Sequence, residues 1–207
     1  MEYDSLIFDL DGTLWDALHT SAAAFTEVFH SYGILNDVTA DALKKVTGLP
    51  FDECIEKMYP GISDKYPDIL KEFDVYERAA IEKKGGCIYP SVVQGIKVLS
   101  GKYKIFIVSN CDEWYLQAFL RHSALPGFIT DYTCYGKSRH TKSEMITMLK
   151  DTYLLHKPVY VGDTMLDYTS SAGCNIDFIY AEYGFGSVDA PCRKISCFDE
   201  LIDMCIK

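Results

Sequence analysis

The sequence contains no long hydrophobic run, and no apolar stretch approaches the ~20 residues that a membrane-spanning helix needs. Its first residues, Met1-Glu2-Tyr3-Asp4, carry no basic segment, so we expect neither a signal peptide nor a membrane partner. The eight cysteines include no Cys-x-x-Cys pair. We therefore predict reduced thiols in a cytoplasmic protein rather than a zinc site or a disulfide framework.

Positive charge is scarce in this chain. It has 20 lysines and arginines against 30 aspartates and glutamates, which gives a formal net charge of −10. This balance argues against nucleic acid as a partner. An acidic protein that handles phosphate must gather positive charge locally, for which a magnesium ion and one or two lysines suffice.

The sequence also lacks a glycine-rich phosphate loop of the Walker type. The segment Gly184-Phe185-Gly186 follows the fifth predicted strand rather than the first, so it is weak evidence for dinucleotide binding. With 207 residues, of which 48% are hydrophobic, the chain is long enough for one core domain with a small inserted one.

Short apolar runs alternate with helical patterns in the second half of the chain and follow a first apolar run at the N-terminus. This alternation predicts an α/β fold, a Rossmann-like parallel sheet with helices on both faces. The predicted strands are Leu6–Phe8, 104–108, 128–134, 158–161 and 176–181, and the predicted helices begin near Asp112 or cover 142–153 and 198–206.

The segment between Trp15 and Lys84 shows no strand-like alternation. Its pattern predicts a helix that Asp16 caps and that stops near Gly33, followed by helices at about 39–46, 50–58 and 64–83. Because this helical block falls directly after the first strand, we predict a helical cap domain, 16–85, inserted into a core domain, 1–15 and 86–207. The expected hinges are Trp15 and Gly85-Gly86.

Two carboxylates end the first strand. Asp9 and Asp11 follow Leu6–Phe8, and Gly12 then turns the chain. Open α/β sheets bind ligands at this end of their strands. Because two close carboxylates repel each other, a cation, a proton or a reacting electrophile must separate their roles. The pair suits a nucleophile beside an acid/base over Mg²⁺, while an Asp-rich turn is the purely structural interpretation.

Polar residues also follow two later strands. Ser109-Asn110 could donate hydrogen bonds to an anion, although such a pair also suits a turn or a helix cap. Gly162-Asp163 follows the fourth strand, with Asp167 shortly after it. Lys142 opens the preceding helix, where a solvent-exposed lysine is the ordinary expectation.

Together these motifs resemble the haloacid dehalogenase-like (HAD) hydrolase superfamily, most closely its phosphoglycolate-phosphatase-like branch. The first motif is Asp9-Leu10-Asp11-Gly12-Thr13, the second is Ser109, the third is a lysine, and the fourth is Gly162-Asp163 with Asp167. The resemblance implies a Mg²⁺-dependent phosphatase that hydrolyses a small phosphorylated metabolite, phosphoglycolate-like or a sugar phosphate, through an aspartyl-phosphate intermediate.

The resemblance also implies roles for single residues. Asp9 would be the nucleophile, and Asp11 the general acid and then the general base. The Mg²⁺ ligands would be Asp9, the backbone carbonyl of Asp11 and Asp163, with Asp167 fixing their arrangement.

The resemblance also implies four residues that would contact the substrate, and two of them, Ser109 and Lys142, would take part in catalysis as well. Lys137 competes with Lys142 for the lysine of the third motif, and we prefer Lys142 because it stands at the helix start. The expected substrate-binding residues are Thr13, Ser109, Asn110 and Lys142.

Alternative functions follow from the same resemblance. A dehalogenase is disfavoured because hydrolytic dehalogenation in this superfamily does not use a second aspartate, and Asp11 is present. A phosphoglucomutase-like phosphotransferase and a non-catalytic phosphate-binding regulatory module stay open. We expect a monomer or a weak dimer whose partner is a small phosphate ester.

Overall fold

The computed structural model describes residues 3–206, so residues 1, 2 and 207, the ends of the two predicted core segments, lie outside the described residues. Six parallel strands form the central sheet in the order β5-β4-β1-β6-β7-β8, and two short strands, β2 and β3, form a separate ribbon. The strands are β1 (Ser5–Phe8), β2 (Trp15–Asp16), β3 (Cys87–Ile88), β4 (Lys104–Ser109), β5 (Asp131–Cys134), β6 (Pro158–Gly162), β7 (Asp177–Ala181) and β8 (Arg193–Ile195).

Helices cover the sheet and fill the segment between β2 and β3. The helices are α1 (Leu18–Ser31), α2 (Ala40–Lys44), α3 (Phe51–Met58), α4 (Ile62–Lys65), α5 (Ile69–Lys84), α6 (Val92–Leu99), α7 (Glu113–Ser123), α8 (Tyr135–Ser138), α9 (Lys142–Tyr153), α10 (Met165–Gly173) and α11 (Phe198–Ile206). No helix within the described part of the chain is both long and apolar enough to cross a membrane.

Both faces of the sheet are buried, which explains why its strands are almost continuously hydrophobic. Successive side chains of a strand point to opposite faces. In β1, Leu6 and Phe8 belong to a core cluster shared with α6, α7 and α11, whereas Ile7 belongs to a second cluster shared with α9. The predicted Rossmann-like α/β fold is thus confirmed.

Some elements differ from the sequence prediction. Strand β5 begins at Asp131 instead of 128, because Pro126–Phe128 forms a 3₁₀ turn. Strand β8 and helix α6 were not predicted. β8 is a three-residue edge strand that carries little pattern, and α6 starts only after Ser91, whose left-handed φ of 64° redirects the chain.

Helices α1 to α5 enclose a hydrophobic cluster of their own. Its centre is aromatic, since Phe73 on α5 packs against Phe25 and Phe29 on α1 with ring centroids 4.8 and 5.5 Å apart. The observed bounds divide the last predicted helix, 64–83, into α4 and α5 at Pro67. Asp16 was predicted to cap α1, but the N-cap residue is Ala17. Asp16 lies one residue earlier and accepts a hydrogen bond from the Leu18 N–H at 2.9 Å.

The two segments that connect the sheet to this helical block, β2 and β3, lie side by side. Trp15 and Asp16 pair antiparallel with Ile88 and Cys87. These connections were expected to be hinges, and the structure joins them in a two-stranded ribbon. All eight cysteines lie within residues 3–206 and are free thiols.

Helices α6 and α11 approach each other closely at Gly95. A Cβ atom at this position would lie 2.5 Å from Cε1 of Phe198, a ring that is 1% exposed. Gly95→Ala should lower the free energy of unfolding by about 1–3 kcal/mol, the usual cost of overpacking a core. Chemical denaturation measures it. Gly127→Ala is the matched control, since a Cβ atom at position 127 would meet no other group within 4 Å, and equal stability of the two variants would contradict this packing.

Candidate active site

Lys142 places its ammonium group between two carboxylates from different elements. Its Nζ donates to Oδ1 of Asp9 at 2.9 Å and to Oδ1 of Asp167 at 2.6 Å. Asp9 directly follows β1, Lys142 begins α9, and Asp167 lies in the first turn of α10. All three residues are at most 3% exposed. Three segments that are far apart in sequence therefore meet in one buried ion cluster.

Local sequence fixes Asp167 in this position through a capping box. The Thr164 hydroxyl accepts a hydrogen bond from the Asp167 N–H, and Oδ2 of Asp167 accepts from the Thr164 N–H and hydroxyl at 3.0 and 2.6 Å. An acidic residue is also favoured by the dipole at a helix N-terminus. Both oxygens of Asp167 are thus engaged by protein donors, so this residue holds Lys142 in place.

Asp163, at the end of β6, is held by the loop after β7. Its Oδ2 accepts hydrogen bonds from the N–H groups of Phe185 and Gly186 at 2.7 and 3.3 Å, and its Oδ1 accepts from the Thr13 hydroxyl at 3.4 Å. The segment Gly184-Phe185-Gly186, weak evidence for dinucleotide binding in the sequence, instead binds this carboxylate.

The turn after Asp11 approaches the same carboxylate. Gly12 has a φ of +79°, and a Cβ atom there would overlap Oδ2 of Asp163. Only glycine combines this backbone conformation with this closeness. The turn therefore brings the end of β1 against the end of β6.

Burial and mutual repulsion disturb the ionisation of this cluster. Burial raises the pKa of Asp9 to about 6, although the Lys142 charge opposes the shift. Burial, and then the charges of Asp167 and Asp9, raises the pKa of Asp163 well above its ordinary value. Burial alone would lower the pKa of Lys142, but the Asp167 and Asp9 carboxylates outweigh it and raise that pKa.

The donor set fits a divalent metal ion. One oxygen each of Asp9, Asp163 and Asp167 can be chosen so that all three lie within 4.8 Å of one another, and all three residues are buried. Lys142 balances Asp9 and Asp167, and Asp163 takes part in none of the ion pairs of the described residues, so these three buried carboxylates leave excess negative charge. Hard oxygen donors and such an excess suit Mg²⁺, and a bound cation would reverse the raised carboxylate pKa values.

Asp11 is held apart from this cluster by a residue that the sequence analysis missed. The Tyr115 hydroxyl on α7 donates to Oδ1 of Asp11 at 2.6 Å. Burial raises the pKa of Asp11 to about 7, and the Tyr115 hydrogen bond opposes that shift. A carboxyl group with this pKa exchanges protons near neutral pH. In the sequence Tyr115 is one more apolar position of a helix, so no local signal marks it.

The other predicted substrate-binding residues lie near this cluster but make different contacts. The Ser109 hydroxyl, at the end of β4, accepts from the Cys111 N–H at 3.4 Å. The Asn110 amide donates to the Gly48 carbonyl in the helical block at 2.7 Å, so it joins the block to the sheet. Lys137, the competing lysine, instead places its Nζ 4.7 Å from the Tyr132 ring centroid, whereas Lys142 is the lysine that binds the carboxylates.

A cavity of about 110 Å³ opens beside the carboxylates, between the strand ends and helices α1, α3 and α5. Asp9, Asp11 and Ser109 line its sheet side. Glu77 on α5 lines its opposite side and is 8% exposed. Sequence reasoning missed Glu77, because a glutamate on a charged helix is ordinarily solvated.

Comparison with known proteins agrees with this geometry. The family model of haloacid dehalogenase-like hydrolases matches residues 6–181, which include all four motifs. The chain belongs to this family. None of the curated protein sequences compared with it gives a significant match.

Solved structures of similar fold cover nearly the whole chain. A haloacid dehalogenase-like family protein from Streptococcus pneumoniae is 20% identical, with a TM-score of 0.85 and 98% of each chain covered. A predicted phosphoglycolate phosphatase from Haemophilus somnus is 16% identical, with a TM-score of 0.83 and 99% and 98% covered. A HAD hydrolase from Bacillus subtilis bound to magnesium is 17% identical, with a TM-score of 0.78 and both chains fully covered. These likenesses show a shared fold.

Replacing the central cation tests the ion cluster. Lys142→Met leaves two buried carboxylates without their partner, so the free energy of unfolding should fall by about 3–5 kcal/mol. Denaturant titration in the presence of a chelator measures the change. Lys137→Met is the matched control and should cost about 1 kcal/mol or less, since it loses only an exposed cation–π contact. Similar losses for the two variants would contradict the assigned role of Lys142.

Proposed function

We propose that this protein is a Mg²⁺-dependent phosphatase that hydrolyses a small phosphate monoester through an aspartyl-phosphate on Asp9. The observation that carries the proposal is the group of three buried carboxylates, Asp9, Asp163 and Asp167, directly beside a cavity. Lys142 binds two of them, Asp9 and Asp167. Two further facts support it: the family is one of hydrolases, and one structural relative is a predicted phosphoglycolate phosphatase.

Asp9, Asp163 and the backbone carbonyl of Asp11 would hold the Mg²⁺ ion. Bound there, the ion would offset the repulsion between the Asp9 carboxylate and a phosphate dianion. Asp167 would act through its neighbours, because its two oxygens already accept from Lys142 and Thr164. The relative from Bacillus subtilis is bound to magnesium, which agrees with this choice of ion.

Asp9 and Asp11 would each act in both halves of the reaction. An oxygen of Asp9 forms a bond to phosphorus while the bond from phosphorus to the ester oxygen breaks. Protonated Asp11 gives its proton to that oxygen, and the alcohol leaves. Asp11 then takes a proton from water, whose oxygen attacks the phosphorus and releases Asp9 and inorganic phosphate. Such acid–base assistance is typically worth ~10²–10⁴-fold in rate.

Lys142 and Ser109 would act on the phosphoryl oxygens. The Lys142 ammonium already lies 2.9 Å from the Asp9 oxygen, so it stands beside the point of attack. Donors placed around developing charge are typically worth ~2.7–4 kcal/mol each. The Thr13 hydroxyl faces Asp163, so Thr13 would contribute chiefly by positioning that ligand.

The helical block 16–85 would form a cap over a core made of 1–15 and 86–207. The separate hydrophobic cluster of α1 to α5 supports this division. The ribbon of β2 and β3 would be the joint, and the hydrogen bond from Asn110 to Gly48 would help to hold the closed form. Closure would keep water from the first half of the reaction.

Removing the nucleophile tests the covalent step. Asp9→Asn should lower kcat/KM by more than about 10⁴-fold, because the neutral amide that replaces the carboxylate is too weak a nucleophile to form the phospho-enzyme. Acid quenching of the wild-type enzyme with a ³²P-labelled monoester should trap labelled protein. Hydroxylamine, which cleaves acyl phosphates, should then release the label.

The trapping experiment has a matched control in Asp11→Asn. This variant keeps the nucleophile and should still form labelled protein from an aryl phosphate, whose leaving group needs no proton. Labelled protein in Asp9→Asn at the wild-type level would refute the proposed nucleophile.

A further inference from the structure

The cavity beside the carboxylates is small and lies between the sheet edge and the helical block. On the scale where one water needs about 10–15 Å³, its 110 Å³ holds roughly seven to eleven water-sized groups. The sheet side carries Asp9 and Asp11, where the phosphoryl group would bind. The rest of the cavity is therefore left for the alcohol of the monoester.

The wall of this cavity carries acid but no base. Among the described residues that line it there is no lysine, arginine or histidine, and the carboxyl groups include Glu77 and Asp112 besides Asp9 and Asp11. Arg139 offsets part of the charge of Asp112. Arg78 lies over the Trp114 ring, with its Cζ 5.9 Å from the centroid, but does not itself line the cavity.

Glu77 is the acidic group with no cation to balance it. None of the ion pairs within residues 3–206 includes it, and the group that hydrogen-bonds to its carboxylate is the Ser21 hydroxyl of α1. Burial raises the pKa of Glu77 to about 8. Without a ligand, Glu77 is therefore mostly in its protonated form near neutral pH. A cation that arrives with the ligand would favour the charged form, because a buried charge is stable only when it is paired.

Four aromatic residues belong to the remaining wall. Rings attract ammonium groups through the electron density of their faces, most strongly when water is excluded. The aromatic lining residues are Phe25, Phe51, Trp114 and Tyr115.

We infer that the substrate is a small phosphate monoester whose alcohol carries an ammonium group, and that Glu77 binds this ammonium. This inference rests on the proposed phosphatase function and names its substrate class. A 2-phosphoglycolate molecule would place its carboxylate beside Glu77 with no cation in the wall to receive it. The phosphoglycolate-like substrate expected from the sequence is thus disfavoured by the charge of the cavity.

Three substrates of similar size and different charge test the inference on the wild-type protein. With Mg²⁺ at pH 7.5, O-phosphoethanolamine should have a kcat/KM about 10- to 100-fold above that of n-propyl phosphate, the effect of a hydrogen bond to a charged group. 2-Phosphoglycolate should be the poorest of the three. A higher kcat/KM for n-propyl phosphate or 2-phosphoglycolate than for the ammonium ester would overturn the inference.

A substitution at Glu77 then tests the residue. Glu77→Gln should reduce the ratio of kcat/KM for O-phosphoethanolamine to that for n-propyl phosphate by about 10-fold or more. Glu82→Gln is the matched control, because Glu82 is an exposed residue of the same helix and should leave this ratio unchanged. An unchanged ratio in Glu77→Gln would overturn the assignment of Glu77, and the wild-type comparison decides the substrate class even if the variant fails to fold.

A generic aryl phosphate separates failure of this inference from failure of the phosphatase function. If p-nitrophenyl phosphate is hydrolysed and the ammonium ester is not, the substrate class is wrong while the proposed function stands. If wild-type protein with Mg²⁺ hydrolyses neither compound, the phosphatase function itself fails.

Discussion

The structure depends on one buried cation that binds two carboxylates. The ammonium of Lys142 lies between Asp9 and Asp167 and so ties the end of β1 to the first turns of α9 and α10. Each of these groups would be costly to bury alone. Because each is placed by its own strand end or helix start, the cluster needs no flexible loop to form. The end of β1 alone brings the Asp9 carboxylate to the sheet edge.

Excess negative charge governs the chemistry around this cluster. Asp163 is a third buried carboxylate, held by the Phe185 and Gly186 N–H groups and not by a side-chain cation. A divalent ion would balance the cluster on the sheet side, and a positively charged alcohol would balance Glu77 on the helical side. In the proposed reaction the phosphoryl group would thus meet positive charge at the sheet edge.

The sequence predicted the parallel sheet and the position of the carboxylates, because these follow from local patterns. Asp9 and Asp163 each follow an apolar run, and parallel strands bring such ends to one edge. Helix α10 begins with Thr164 and its capping partner Asp167, also a local signal. Glu77 and Tyr115 could not be predicted, because their importance comes from packing between the helical block and the sheet. The same packing gives Asn110 a contact with Gly48 that no local pattern indicates.

Metal binding by the buried carboxylates tests the account most directly. Isothermal titration calorimetry of metal-free wild-type protein with MgCl₂ should show one ion bound per chain, and Asp163→Asn should bind it much more weakly. Thermal unfolding should follow the same order, since an ion that binds only the folded state raises its stability. Absence of Mg²⁺ binding by the wild type, or equal binding by Asp163→Asn, would contradict the account.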